Sequence, residues 1–557
     1  MTGGSGQLSA APEQAMAERT STALANRNRP TFNLHWKEAP HLYAQHVCAV
    51  PSLFVAFDGR HTYAGHMNPR IAVVGGGPGG LFFATLACRR LPDAEVVLFE
   101  RNASSDAFGF GVVFSDATLR KIDEADPVLR NALAEHGRHW DRIDVSSAGV
   151  WNGFGGNGMA AIHRKTLLGL LQDNAREAGV EVRFSTPAPP VPDLVRDFDL
   201  VVGADGTNST VRDHLGDIGQ TVETASAKFI WFGTTHMFEG LTFVHRVSEH
   251  GNFAVHGYPI SDALSTFIVE TDEETWRAAG LNSFDVTQAP GPSDEQSQAY
   301  LEKLFAEDIG GAPLVANNSR WGNFRTRRTR TWHRDNVVLL GDAVHTAHFS
   351  VGSGTKMAME DAVVLADEAA AAFRGERDLA EALKVYEAQR SSSVARIQDS
   401  ARPSASWWER FGLYQRALDP LTFTFHFFSR SIGVAKMNER DPELVRRTRQ
   451  AWQPSAAAAN LVGAQRTGRL QQLPPAVVVV QASESDSAWR DALDSLPREG
   501  VVAVTGAAQL PKVLLSEEAR LRRGLTTVLV GEYDDDAAET IVLSGRADAV
   551  ASTTVLR

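Results

Sequence analysis

Cysteine is nearly missing: Cys48 and Cys88 are the two in 557 residues. Two thiols exclude the disulfide framework of a secreted scaffold. Paired CxxC and HExxH spacings do not occur, so no metal site is expected. Long apolar runs are missing too. None approaches the roughly 20 residues that a membrane-crossing helix needs, and the first residues lack the apolar core of a signal peptide. Basic charge is in the minority, with 55 Lys plus Arg against 67 Asp plus Glu and a net charge of −12. That balance speaks against a nucleic-acid partner. The expectation is a cytoplasmic protein with no nucleic-acid or membrane partner, long enough for two or three packed domains.

What is present falls into two kinds of periodicity. Residues 1–30 are rich in Gly, Ser, Ala and Asn, and 31–66 scatter aromatics without a pattern. Met67-Asn68-Pro69-Arg70 stands directly before a strand, so residues 1–66 read as an N-terminal extension, either flexible or docked on the body as an arm. From Ile71 the chain reads strand, helix, strand: "IAVVGGG", "PGGLFFATLACRRL", "EVVLFE". Between 226 and 271 it switches to period-two alternation ("AKFIWFGTTH", "LTFVHRVS", "NFAVHGYP", "LSTFIVET"), the mark of an antiparallel sheet with one face covered. After about residue 336 the first style returns. The reading is therefore α/β: a parallel domain made of about 67–165, 180–215 and 336–400, with a sheet domain inserted at about 216–335. An aromatic-rich helical segment at 400–450 and an Ala, Gln and Pro rich linker at 451–475 follow. A small α/β tail at 476–557 ends the chain.

"VVGGGPGGL" holds Gly75-x-Gly77-Pro78-x-Gly80 between a strand and a helix. Glu100 closes the next strand, with Arg101 beside it. This context is that of a Rossmann-type dinucleotide fingerprint: glycines let the backbone approach a pyrophosphate at a helix N-terminus, and the acid accepts from ribose hydroxyls. One such unit could hold NAD or FAD. Two later segments narrow the choice. "VVGADGTNSTVR" puts Asp205-Gly206 after a buried strand and Arg212 at a helix start. "GDAVHTAHFSVGSGTK" puts Asp342 at the end of another strand, then Gly352 and Gly354 at the next helix start.

These three motifs in this order resemble the group A flavoprotein monooxygenases, the para-hydroxybenzoate hydroxylase fold. The resemblance implies one FAD, with Asp342 on the ribityl chain, the helix after Gly354 at the pyrimidine ring, and Arg164 beside the cofactor. NADH or NADPH would be the reductant, docking without a fingerprint of its own. Five stretches, "DAFGFGVVFSDATL", "KFIWFGTT", "STFIVETDEETW", "GDAVHTAHFSVGSGTKMAMEDA" and "FHFFSRSIGVAKMNERDPELV", resemble more narrowly the salicylyl-CoA 5-hydroxylase and 2-aminobenzoyl-CoA monooxygenase group. That group shares Phe349 and Lys356 where the wider family has proline and asparagine. Its members often carry an FMN barrel at the C-terminus, and a barrel of eight units takes about 250 residues, far more than this chain has after Pro475. The tail is either a truncated remnant of such a barrel or a plain α/β appendage, which could mediate a homodimer.

The activity so implied is hydroxylation of an aromatic acyl-CoA with NAD(P)H and O2, through a flavin C4a-hydroperoxide. The alternative is a tailoring oxygenase acting on a dearomatised or seven-membered-ring thioester, as in tropolone formation. The protein would position the ring and exclude water. Candidate walls are Phe110, Phe114, Trp231, Phe253, His256, Tyr258 and Phe349. His348, Phe349 and Ser350 are the candidate catalytic residues, and His345 is read as structural. For the CoA phosphates the candidates are Arg325, Arg327 and Arg328 of "RTRRTR", together with Lys356. A solvated strand face is the competing reading of that run.

Overall fold

The computed structural model describes residues 68–107, 109–115, 119–288, 291–348, 352–462 and 465–556. The N-terminal extension therefore lies outside the described residues. The strand Arg70–Val74 is short and β-branched, and its last four residues are buried. It is the centre of a six-stranded sheet ordered 333–334, 337–339, 200–203, 70–74, 95–99 and 181–183. All neighbours are parallel except His333–Arg334, which pairs antiparallel as an edge. The helix Pro78–Arg90 starts with proline in its first turn, where the missing N–H costs nothing. It is buried from Pro78 to Cys88, as befits a helix that is apolar all round. It packs on the long helix Gly354–Phe373. Thus the start and the late part of the chain close one core.

An eight-stranded sheet forms the second layer, built on the long strand Gln220–Thr234. Period two divides its residues between two faces. Ile230, Phe232, Phe253, Val255, Phe267 and Val269 pack on Leu301 and Phe305 of the outer helical layer. The other face carries Phe229, Trp231, Phe243, His256, Ile268 and Glu270. It meets the aromatic helices Leu379–Trp408 and Pro420–Phe428, with Phe243 4.6 Å from Phe427 and 5.8 Å from Trp408 between ring centroids. The inserted sheet is larger than the boundary 216–335 suggests. Ile143–Ser147 and Val150–Phe154 also belong to it, the former pairing parallel with Leu241–Ser248. Parallel pairing joins distant segments without a local turn signal, which is why residues 143–154 read as part of the first domain.

The tail forms a five-stranded parallel sheet ordered 469–470, 549–551, 526–530, 501–505 and 478–481. From 478 to 551 each strand neighbours the next in sequence, the winding of a (β/α) barrel rather than of a doubly wound sheet. One face is covered by its helices. The other, with Ala503, Val528, Val530, Ala549 and Ala551, is covered by Leu461, Leu470, Leu473 and Val477. So the segment 451–475 is not a bare linker: it supplies the helix Ala456–Val462 and the strand Arg469–Leu470, and its leucines seal the tail. Its Ala and Gln content hid three leucines that have an apolar face to cover.

A buried polar knot ties tail to body. Tyr414 Oη donates to Glu517 Oε2 at 2.6 Å, and Trp407 Nε1 donates to His426 Nδ1 at 2.8 Å, which leaves His426 Nε2 facing Glu517 Oε1 at 3.1 Å. Arg546 donates to Ser429 Oγ at 2.7 Å and to the His426 carbonyl at 2.9 Å. Burial alone would raise the Glu517 carboxyl, yet the His426 hydrogen bond and the Arg546 charge hold it below the ordinary range.

Candidate active site

Two adjoining cavities run along the carboxyl ends of the parallel strands. One, of about 720 Å³, is lined by Gly75, Gly76, Glu100, Arg101, Asp205 and the 187–192 segment. The other, of about 1200 Å³, is lined by Pro78, Gly80, Asp342, Gly352 and Gly354 and reaches the eight-stranded sheet. Gly77, Arg164, Ala204, Gly206 and Asn208 border both. The pair makes one continuous trough.

Local geometry explains the motif residues. Gly75 has φ +112°, and a Cβ there would sit 2.3 Å from the Ala204 carbonyl oxygen. A Cβ on Gly80 would sit 2.1 Å from the Gly75 carbonyl oxygen. Strand and helix can approach only without side chains at these two positions. Glu100 accepts from the Gly76 N–H at 2.7 Å and from the Asn102 N–H at 2.8 Å, which fixes its carboxylate at the narrow cavity's edge. Asp205 Oδ2 accepts from the Thr210 N–H at 2.7 Å, whereas its buried Oδ1 has no partner. Ser353 Oγ is likewise buried without one, at the start of the helix Gly354–Phe373. Asp342 projects into the wide cavity, and the surrounding protein desolvates it and raises its carboxyl above the ordinary range. Arg164 opens the helix Arg164–Glu177; burial lowers its basicity, against the opposing pull of Asp342. A trough with orphaned acceptors, a close glycine approach, a helix start and one desolvated arginine fits an extended dinucleotide carrying hydroxyls and phosphates.

Further buried side chains hold these pieces together. Arg212, 6% exposed, donates to the Thr207 carbonyl at 3.0 Å and the Ala343 carbonyl at 3.2 Å, so one guanidinium joins the second and third motifs. His345 Nε2 lies 2.6 Å from Asp361 Oδ2, and Arg390 Nε donates to Asp361 Oδ1 at 2.7 Å. Burial works to raise the Asp361 carboxyl, but these two partners bring it down to about 2. Asp361 Oδ2 also accepts from the Gly341 N–H, which sets the backbone just before Asp342.

The basic run splits by strand alternation. Arg325 is exposed and lines the wide cavity. Arg327 turns toward the motif loops and donates to the Thr207 carbonyl at 3.2 Å. Arg328 points away, to Asp399 at 2.8 Å, and borders neither cavity. Lys356 lines the cavity with Nζ 2.5 Å from Glu360. Lys228, Arg325, Arg327 and Lys356 all line the wide cavity, and of the three candidate arginines only Arg328 borders neither cavity.

The predicted walls divide as well. Phe114, Trp231, His256 and Tyr258 line the wide cavity. Phe253 faces the opposite side of the sheet because it is out of phase with His256. Phe110 is spent covering Gly233, where a Cβ would lie 2.7 Å from its ring. Phe349 and Ser350 lie outside the described residues. His348 is 3% exposed, sits 5.0 Å from the Phe324 ring and does not border the cavity. Burial pushes its imidazole down to about 4. It belongs to a buried group with His256 and Glu270, whose Nε2 and Oε1 are 2.7 Å apart. Sequence reading missed Phe427, Phe428 and Arg430, which the helical segment adds to the cavity wall.

Comparison with known proteins agrees with this geometry. Residues 197–401 match the FAD binding domain family. A salicyloyl-CoA 5-hydroxylase from Streptomyces sp is 51% identical over 519 residues, covering 87% of this chain and 100% of that protein. A 3-hydroxy-4-methyl-anthranilyl-[aryl-carrier protein] 5-monooxygenase from Streptosporangium sibiricum is 38% identical over 342 residues, 61% of this chain and 89% of that one. The solved structure of PqsL from P. aeruginosa with 2-aminobenzoylacetate matches with TM-score 0.48 and 23% identity, over 61% of this chain and 97% of that one. Family match, full-length relative and trough lead to one conclusion: this chain belongs to the FAD-dependent aromatic hydroxylases of group A.

Proposed function

We propose that this monooxygenase hydroxylates the ring of an aromatic acyl-CoA thioester, of the salicyloyl or aminobenzoyl kind, at the expense of NADH or NADPH and O2. The observation that carries the reading is a wide cavity lined by the cofactor motifs, by an aromatic group and by the cations Lys228, Arg325, Arg327 and Lys356. An aryl group suits the aromatic lining, and CoA phosphates suit the cations. The full-length relative's name supports the same substrate class, and no comparison favours the seven-membered-ring alternative.

Bound FAD supplies the oxidation chemistry, accepting a hydride equivalent and activating O2. The chain's own residues do the rest. Asp205, Asp342 and Glu100 offer acceptors to cofactor hydroxyls. Gly75 to Gly80 and the start of the helix Gly354–Phe373 offer backbone N–H groups. Trp231, Phe243, Ile268, Phe324 and Phe427 exclude water from the ring and hold its plane.

The test is NAD(P)H consumption by the FAD-loaded protein against matched aryl acids and their CoA thioesters. Stimulation by thioesters is expected, and Arg325→Ala should raise KM for the thioester with little change in kcat. Stimulation by the free acids alone would remove the CoA assignment.

A further inference from the structure

Arg430 is a half-buried cation with no ion-pair partner among the described residues. Its Nε donates to Ser404 Oγ at 3.0 Å, its Nη1 donates to the Phe427 carbonyl, and its guanidinium lies 3.8 Å from the Phe427 ring centroid. Among the described residues no carboxylate lies within ion-pair distance, and the side chain borders the wide cavity. Burial, with Arg546 nearby, pushes its basicity down to about 9, so it is still charged at neutral pH. A guanidinium fixed on two sides, desolvated and left facing a chamber is costly unless an anionic oxygen completes it.

We propose that Arg430 selects the substrate ring by holding an ionised ring hydroxyl oxygen. This deepens the acyl-CoA reading and rests on it. On binding, the ring O–H bond breaks, its electron pair stays on oxygen and the proton leaves to the buffer; nothing is oxidised or reduced. A phenolate ring is richer in electrons and a better acceptor of an electrophilic oxygen than the neutral phenol.

The groups around Arg430 fit this role. Glu270 and His256 reach it from the sheet, His348 from the loop after Val337–Leu339, His245 from the strand beside them and Arg546 from the tail, while Glu409, just past the helix Leu379–Trp408, acts on Glu270. Burial keeps the three histidines neutral. It also pushes the Glu270 carboxyl up to about 8, so below that pH no second negative charge competes for the guanidinium. Above about pH 8 Glu270 ionises and opposes the phenolate.

The experiment titrates FAD-loaded protein with salicyloyl-CoA and benzoyl-CoA without reductant. Flavin absorbance gives Kd, and the near-ultraviolet difference spectrum reports ring ionisation. Wild type should bind the hydroxylated ring at least tenfold tighter, with the phenolate band present at pH 7. Arg430→Met should keep FAD and benzoyl-CoA affinity but lose both preference and band. Glu270→Gln should move the onset of the fall in salicyloyl-CoA affinity from about pH 8 to about pH 9, where Arg430 itself loses its proton. If the Met variant does not fold, Arg430→Lys replaces it and must retain the band. A neutral bound ring in wild type, or an equal loss of both thioesters in the variant, overturns the proposal. If neither thioester binds to wild type, the acyl-CoA reading has failed, and salicylate against benzoate then repeats the comparison for Arg430 alone.

Discussion

Gly75 shows how much a single position can decide. Its φ of +112° and the 2.3 Å approach of the Ala204 carbonyl leave no room for a methyl group. Gly75→Ala is expected to cost several kcal/mol, on the order of backbone strain plus a forced shift, and to lower both Tm and the ratio of flavin to protein absorbance. Asp342→Ala should lower flavin retention with a smaller change in Tm; unchanged flavin occupancy would remove its role. Four buried histidines make a second prediction. Burial pushes His245 and His256 down to about 3, and His348 and His426 down to about 4. Unfolded imidazoles titrate near 6.5. Because the unfolded chain binds these protons first, stability is full above about pH 6.5 and is lost as pH falls toward 4. Thermal scans of the holoprotein between pH 8 and pH 5 should show Tm falling at the acid end; a flat profile would mean these rings are not held neutral.

Elements were legible in the sequence where their signals were local. The strand–glycine–helix start at 70–80, Glu100 at the next strand end and the acid–glycine pairs at 205 and 342 each lie in one short window, and each borders the trough. The residues that escaped notice act across elements. Glu270 is one acid in an apolar strand, and Arg430 follows four aromatics in a helix that reads as plain core. Neither has an opposite charge nearby in sequence, so only the packing of sheet on helix reveals them. Alternation holds in the basic run: Arg325 and Arg327, two apart, both line the wide cavity, and Arg328 points away. At this scale the tail can be tested through its knot. Removing one member of a buried ionic pair costs about 3–5 kcal/mol, so Glu517→Leu or Arg546→Met should lower Tm strongly and increase proteolysis within 476–557. The paired variant Glu517→Leu with Arg546→Met should recover part of the loss. Full additivity of the two would show that they act separately.

At the scale of the whole molecule, two sheets and a helical layer share one task unevenly. The six-stranded sheet presents the motif loops, the eight-stranded sheet walls the chamber, and the aromatic helices close it from the side. Trp407 connects the tail to the chamber: its indole donates to His426 in the knot, and its ring packs on Phe427 at 5.0 Å. A chain shortened before the tail would expose that aromatic layer.

The strand Val478–Gln481 is the outer member of the tail sheet, with Val479 51% exposed and its backbone paired on one side only. It is the ladder's unfinished rung. Because consecutive units there are wound in a single direction, another strand–helix module spliced ahead of Val478 could dock without displacing any existing pair, which makes this rim the natural suture for lengthening the chain.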